Sequence, residues 1–118
     1  MHAYNSILAS HQGDLGLYFR SLYTVFRFIE ASGESDQKHF ALVVRSLLSD
    51  FELVFLFYNC LSSKGERFMR FAKIYALFDN LDISLLLSID HVYLISAEAY
   101  GGNAEALRVL ASRNKSLD

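Results

Sequence analysis

Ten polar or phenolic side chains interrupt otherwise apolar stretches of this 118-residue sequence, and their types could support chemistry. A buried amide, phenol or guanidinium without a hydrogen-bond partner costs about 1–3 kcal/mol, so such groups are found in interhelical networks or in polar clefts. A network stabilises the fold, whereas a cleft serves binding or catalysis. We predict a binding or polar network formed by Tyr18, Arg20, Tyr23, Arg45, Glu52, Tyr58, Asn59, Lys73, Tyr75 and Asn80.

One segment shows why a structural network is the favoured interpretation. Residues 51–57 are almost continuously apolar, and the run passes directly into Tyr58 and Asn59 before the chain breaks at residues 62–65, SSKG. A segment this apolar is expected to be buried. The phenol and the amide at its end are therefore predicted to tie it to neighbouring helices.

A catalytic interpretation needs acid, base or metal-binding groups that converge. The four histidines are scattered and form no HxxxH or HExxH pair, and Asp90 and His91 are adjacent, so on a helix they point in different directions. Cys60 lies in an apolar run, where burial raises the pKa of a thiol and disfavours a nucleophile. We predict no metal site and no cofactor. The catalytic alternative is an RNA-directed site formed by Arg20, Glu52, Asn59 and His91.

Composition predicts an all-α fold in one domain spanning residues 1–118. Hydrophobic residues make up 53% of the chain, which suffices for a core, and the chain contains no proline, which suits long helices. The net charge of −2 argues against a general nucleic-acid binder. The charges are nevertheless segregated, with basic residues at Lys64, Arg67, Arg70 and Lys73 and only acidic ones between positions 74 and 107.

The spacing of apolar residues predicts a compact bundle of five or six helices. Ser49 and Glu52 form a capping-box pattern that starts the central helix, Ser35 is a candidate cap for the second helix, and Asn103 is one for the last. The pair Gly101-Gly102 is expected to end the preceding helix. The predicted helices cover residues 14–31, from 36, 50–61, 66–80, 82–100, and a short stretch after 103.

The sequence also bears on the compartment of the protein. The amino terminus, MHAYNSILAS, lacks the pattern of a signal peptide, and the longest apolar stretch, residues 83–99, contains Asp90, His91 and Glu98. A single cysteine excludes a disulfide within the chain and suits a reducing environment. We expect a cytoplasmic location and no membrane span in this segment.

Four segments resemble, in order, those typical of phage abortive infection proteins of the AbiC-like family: LGLYFRSLYTVFRFIE, RSLLSDFELVFLFYNCLS, FAKIYALFDNL and HVYLISAEAYG. The resemblance covers residues 15–101 and implies a role in bacterial defence against bacteriophage. Members of the family are often longer, with membrane-spanning helices ahead of this part. The resemblance therefore implies that this chain is the soluble part of an anchored protein, on the cytoplasmic side of the membrane, or a stand-alone relative.

Many abortive infection proteins are helical ribonucleases of the HEPN class, in which four to six residues separate an arginine from a histidine. No arginine of this sequence is followed by a histidine at that distance. We therefore predict an interaction module that senses a phage component or relays that event to a phage or host partner. The nuclease described above is the alternative. We also predict a homodimer through residues 83–99, or contact of that segment with further sequence of a longer chain.

Overall fold

The computed structural model describes residues 12–63 and 65–117, and these residues are helical without any strand. This confirms the predicted all-α class. Three of the elements are short 3₁₀-helices, labelled η, and the others are α-helices. In chain order they are α1 (Gln12–Glu30), α2 (Glu34–Leu47), α3 (Asp50–Leu61), α4 (Phe68–Tyr75), η1 (Ile83–Leu85), η2 (Ile89–Leu94), η3 (Ala97–Tyr100) and α5 (Ala104–Leu117).

The chain divides into two compact units, with the boundary between Leu48 and Ser49. Whether both fold together as the one domain expected from the sequence stays a prediction. In the first unit α1 and α2 pack against each other, and Gln37 Nε2 donates hydrogen bonds to the carbonyls of Glu30 (3.2 Å) and Ser32 (3.0 Å). The connection between the helices is therefore fixed by a side chain of α2.

The prediction that Ser35 caps α2 was wrong. The helix begins at Glu34, and the residue before it, Gly33, has an extended backbone and supplies no side-chain cap. Glu34 and Asp36 lie in the first turn, where their negative charges favour the positive end of the helix dipole. The start of α2 is thus stabilised by charge.

In the second unit, α3 spans the predicted residues and starts with the predicted capping box. The Ser49 side chain accepts a bond from the Glu52 N–H (3.2 Å), while Glu52 Oε1 accepts one from the Ser49 N–H (3.0 Å). The end of the helix is almost completely buried, from Leu56 through Cys60. The start and the buried face of this helix are therefore both encoded locally.

Helix α4 is shorter than predicted, because Ala76 adopts a left-handed backbone with φ of 49° that ends it after Tyr75. The chain that follows is held by η3 and by the start of α5. The Phe78 N–H donates to the Ala99 carbonyl (2.9 Å), and Asn103 Nδ2 donates to the carbonyls of Phe78 (2.9 Å) and Leu81 (2.8 Å). Asn103 also caps α5, as predicted, by accepting a bond from the Ala106 N–H (3.2 Å).

The prediction of one continuous helix over residues 82–100 was wrong. The segment forms three 3₁₀-helices that begin after Asp82, Ser88 and Ser96. The side chains of Asp82 and Ser88 accept hydrogen bonds from the N–H groups of Ser84 and Asp90, respectively, which lie two positions later. Such short-range bonds compete with the i→i−4 pattern of an α-helix. These caps divide the segment into short turns.

None of the helices in the described residues is long and apolar enough to cross a membrane.

Candidate functional site

The hydroxyl of Tyr58 joins the end of α3 to the segment between η1 and η2. Its oxygen accepts a hydrogen bond from the backbone N–H of Leu87 (2.8 Å) and lies 2.7 Å from His91 Nδ1. The backbone of Ser88 also hydrogen-bonds to it. A hydroxyl that accepts from the backbone can still donate its single proton, so it donates to Nδ1 in the tautomer of His91 that carries the ring proton on Nε2.

The protonation state of Tyr58 supports a role in holding the neighbouring backbone and His91 in place. Burial raises the pKa of the phenol, and the backbone bonds from Leu87 and Ser88 offset part of that increase. The hydroxyl therefore remains protonated at neutral pH and keeps its donor bond to the imidazole. A phenol that must lose its proton to act as a nucleophile would be poorly served by this environment.

Two further tyrosine hydroxyls fix the backbone around η2. Tyr100, which is fully buried, donates to the carbonyl of Val92 (2.7 Å), and Tyr93 donates to the carbonyl of Val109 in α5 (2.9 Å). Together with Tyr58 they hold residues 87–93 to α3, η3 and α5. The segment is short of regular helical bonds, and these side chains take their place.

The segment held in this way exposes an apolar strip, defined as Leu85, Leu87, Ile89 and Leu94. The backbone is extended at Leu86 and Ser88, so side chains alternate between the two sides. Leu86 is accordingly buried between the exposed Leu85 and Leu87. In the sequence, the exposed Asp82 precedes these residues and the exposed Asp90 follows Ile89 directly.

Asn59 occupies the last turn of α3, and its surroundings explain the glycine that follows. Its carbonyl accepts bonds from the Ser62 N–H (3.1 Å) and the Ser62 hydroxyl (2.7 Å). A Cβ added to Gly65 would overlap that carbonyl and would lie 2.6 Å from Asn59 Nδ2. The buried amide and the glycine thus form one close backbone approach.

The other predicted network residues are distributed over both units, and the ten-residue network stays a prediction. Glu52 is engaged in the capping box, and the buried ring of Tyr75 stacks on Phe71 with centroids 6.2 Å apart. Arg20, Lys73 and Asn80 are exposed, while Tyr18, Tyr23 and Arg45 are half-buried.

The catalytic alternative also stays a prediction. Arg20 belongs to the first unit, whereas Glu52, Asn59 and His91 belong to the second. In the described residues no group of three or more His, Cys, Asp or Glu side chains could hold a metal ion. The structure joins Tyr58 and His91, which the sequence predicts for two different roles, the polar network and the catalytic alternative.

Two contacts of the second unit do not follow from the sequence analysis above. Leu87 supplies a backbone N–H, for which no sequence signal exists. Asp79 Oδ1 accepts a bond from the Gly102 N–H (2.6 Å), and Gly101 adopts a φ of +56°, so the paired glycines mark a close approach to Ala76 and Asp79, in the chain that follows α4. A glycine pair can indicate a close backbone approach as well as the end of a helix, and only the end of a helix is predicted above.

The chain matches a known family over a large part of its length. A family model described as "Putative phage abortive infection protein" matches residues 10–86, a range that includes α3 with Tyr58 and Asn59. Searches among curated proteins and among solved structures found no match. Because the matched range covers more than half of the chain, the chain belongs to this family of phage abortive infection proteins.

Proposed function

We propose that the chain acts in abortive infection as a protein-interaction module in the bacterial cytoplasm, where it senses a phage component or relays that event to a partner. The observation that carries this proposal is the exposed apolar strip on a backbone anchored by three tyrosine hydroxyls. Apolar surface gains about 25 cal/mol for each Å² that is removed from water, so four such side chains favour contact with another protein.

The anchoring of the strip supports binding as much as its composition does. A surface that is already ordered loses little conformational freedom when a partner arrives. The bonds from Tyr58 and Tyr100 hold the backbone at Leu87 and Val92, between the exposed side chains. The strip is therefore suited to bind without first being ordered.

A phage-challenge assay tests the proposal. Bacteria that express the wild-type chain should form fewer plaques than bacteria without it, and Leu87→Glu should remove this protection. Leu42→Glu is a matched control, because Leu42 is also an exposed leucine, 56% accessible against 55% for Leu87, and lies in the other unit. Protein levels and thermal melts of both variants must equal those of the wild type.

Full protection by Leu87→Glu and by Ile89→Glu would contradict the proposal, as would the absence of protection by the wild-type chain. The nuclease alternative is tested in parallel by incubating the purified chain with labelled total RNA. Cleavage that disappears in His91→Ala would favour that alternative, and the interaction proposal predicts no cleavage.

A further inference from the structure

We infer that the partner of the apolar strip is a second copy of this chain, which presents the exposed face of α4. This inference rests on the proposed function, in which the strip is a contact surface. Two properties of the strip bear on what can cover it, namely its exposed leucine and isoleucine side chains and the exposed carboxylates of Asp82 and Asp90, which are close to them in the sequence. A complementary surface must offer apolar contact together with positive charge.

Helix α4 offers both on one face. The exposed Arg70 is three positions before the exposed Lys73 and four before the exposed Ile74, so each of these lies next to Arg70 on the helix, and Arg67 precedes Arg70 by three positions. Ile74 has 55% of its surface exposed, although its neighbours Phe71 and Tyr75 are buried. An exposed isoleucine on a segment with cations at positions 67, 70 and 73 is complementary to exposed leucine and isoleucine side chains that have carboxylates next to them in the sequence.

The location of both surfaces in one unit favours a second copy over an unrelated protein. The strip and α4 both belong to the unit that starts at Ser49. In a two-fold dimer each copy would present its strip to α4 of the other, so every favourable pair would occur twice. The segregation of charge also fits this arrangement, because residues 74–107 contain no lysine or arginine and α4 contains no acidic residue.

Light scattering on the purified chain at micromolar concentration tests the inference. We expect a mass of twice the 13.4 kDa of one chain. Leu87→Glu and Ile74→Glu should each weaken the dimer at least about tenfold, because a charge would enter an apolar contact on either side. Leu42→Glu, on α2, should leave the dimer unchanged. Circular dichroism melts establish that all three variants fold.

A charge-reversal pair identifies the two surfaces. Asp90→Lys places like charges opposite α4 of the partner, and the double variant Arg70→Glu/Lys73→Glu places like charges opposite the strip. Each preparation should therefore be monomeric when it is measured separately. Mixing the two should restore a dimer, because in the mixed dimer every reversed residue meets a reversed partner.

A wild-type monomer at these concentrations would overturn the inference. So would a dimer that survives Ile74→Glu, or charge-reversed variants that fail to combine. The phage-challenge assay separates these failures from failure of the proposed function: if the chain is monomeric but Leu87→Glu still removes protection, the strip binds a different protein and the interaction role stands.

Discussion

Helix α3 and the segment from Ile83 to Tyr100 are both rich in apolar residues, yet they obtain their geometry from different sources. In α3 the capping box and the helical backbone satisfy the polar groups locally, from Ser49 to the bonds that Ser62 makes with the Asn59 carbonyl. In the second segment the backbone is divided into short turns, and tyrosine side chains hold it. Bonds between residues close in the sequence therefore define the first region, whereas side-chain bonds between more distant residues hold the second.

This difference explains which of the two regions can carry an interaction surface. A continuous helix with apolar residues on most sides must be enclosed, and the end of α3 is. The divided segment instead alternates at residues 85–89, so it buries Leu86 while exposing Leu85 and Leu87. An irregular backbone can thus serve the core and a partner at once, provided that other side chains fix it.

The largest effect on stability is expected for Gly65, which lies against the Asn59 carbonyl at the end of α3. Gly65→Ala should lower the free energy of unfolding by roughly 3 kcal/mol, because its Cβ would overlap the backbone carbonyl of Asn59, which cannot move without distorting the helix. Chemical denaturation measures this loss.

Gly33→Ala is the matched control for that substitution. A Cβ at Gly33 would come no closer than 3.9 Å to the Asp36 carboxylate, and the φ of −62° suits any residue. This variant should be within about 0.5 kcal/mol of the wild type. Equal stability of the two variants would show that the Asn59–Gly65 approach is looser than the structure indicates.

The next effect tests the side-chain bonds of the second region. Tyr58→Phe removes the acceptor of the Leu87 N–H and the donor to His91, so we expect a loss of about 2 kcal/mol. Tyr100→Phe removes one donor bond, to the Val92 carbonyl, and should cost about 1 kcal/mol. Thermal melts compare the two variants.

Hydrogen exchange gives a local measurement for the same pair. The amide of Leu87 should exchange faster in Tyr58→Phe than in Tyr100→Phe, because the hydroxyl of Tyr58 is its acceptor. If Leu87 exchanged at the same rate in both variants and in the wild type, the hydroxyl of Tyr58 would not be what holds this backbone.

The two regions also differ in how far the sequence could predict them. The bounds of α3 followed from Ser49, Glu52 and the apolar run, which are local signals that the fold does not override. In residues 82–100 the same apolar spacing predicted a helix, because periodicity cannot distinguish one long helix from short turns buried on one side. Asp82 and Ser88 cap the short helices into which the segment divides. Both residue types are common caps, but the apolar pattern around them favours a continuous helix.

The site was less predictable than the fold, for a physical reason. Tyr58 and His91 are 33 positions apart, and no spacing rule joins residues in different elements. The sequence did indicate that Tyr58 needs a partner, because a buried phenol requires one. The identity of the hydrogen-bond partner depends on the path of the chain after α4, and Ala76 and Asn103 set this path.

A smaller effect compares the serine caps of the two regions. Ser49→Ala should cost about 1 kcal/mol, because α3 loses half of its capping box. Ser88→Ala should cost about 0.5 kcal/mol, since η2 is also held by Tyr58 and Tyr100. Urea midpoints of the two variants decide this, and a larger loss for Ser88→Ala would mean that local bonds define the second region as well.

The smallest effect concerns the thiol of Cys60, which reports how dry the end of α3 is. Burial raises the pKa of this thiol from 9.0 to about 12 in the folded chain. Between these two values the unfolded chain loses the thiol proton while the folded chain keeps it, so stability must fall as the pH rises from 9 towards 12. At pH 10 the contribution of the thiol is a loss of about 1 kcal/mol relative to pH 8.

Cys60→Ala removes this contribution and leaves the tyrosines to titrate as before. The difference in unfolding free energy between wild type and variant should therefore be constant below pH 8 and shrink by about 1 kcal/mol at pH 10, because only the wild type loses the thiol term. Denaturation at both pH values measures it. Parallel stability curves of the two proteins from pH 8 to pH 10 would show that water reaches Cys60. The end of α3 would then not be enclosed, and it would not differ in this respect from the exposed strip.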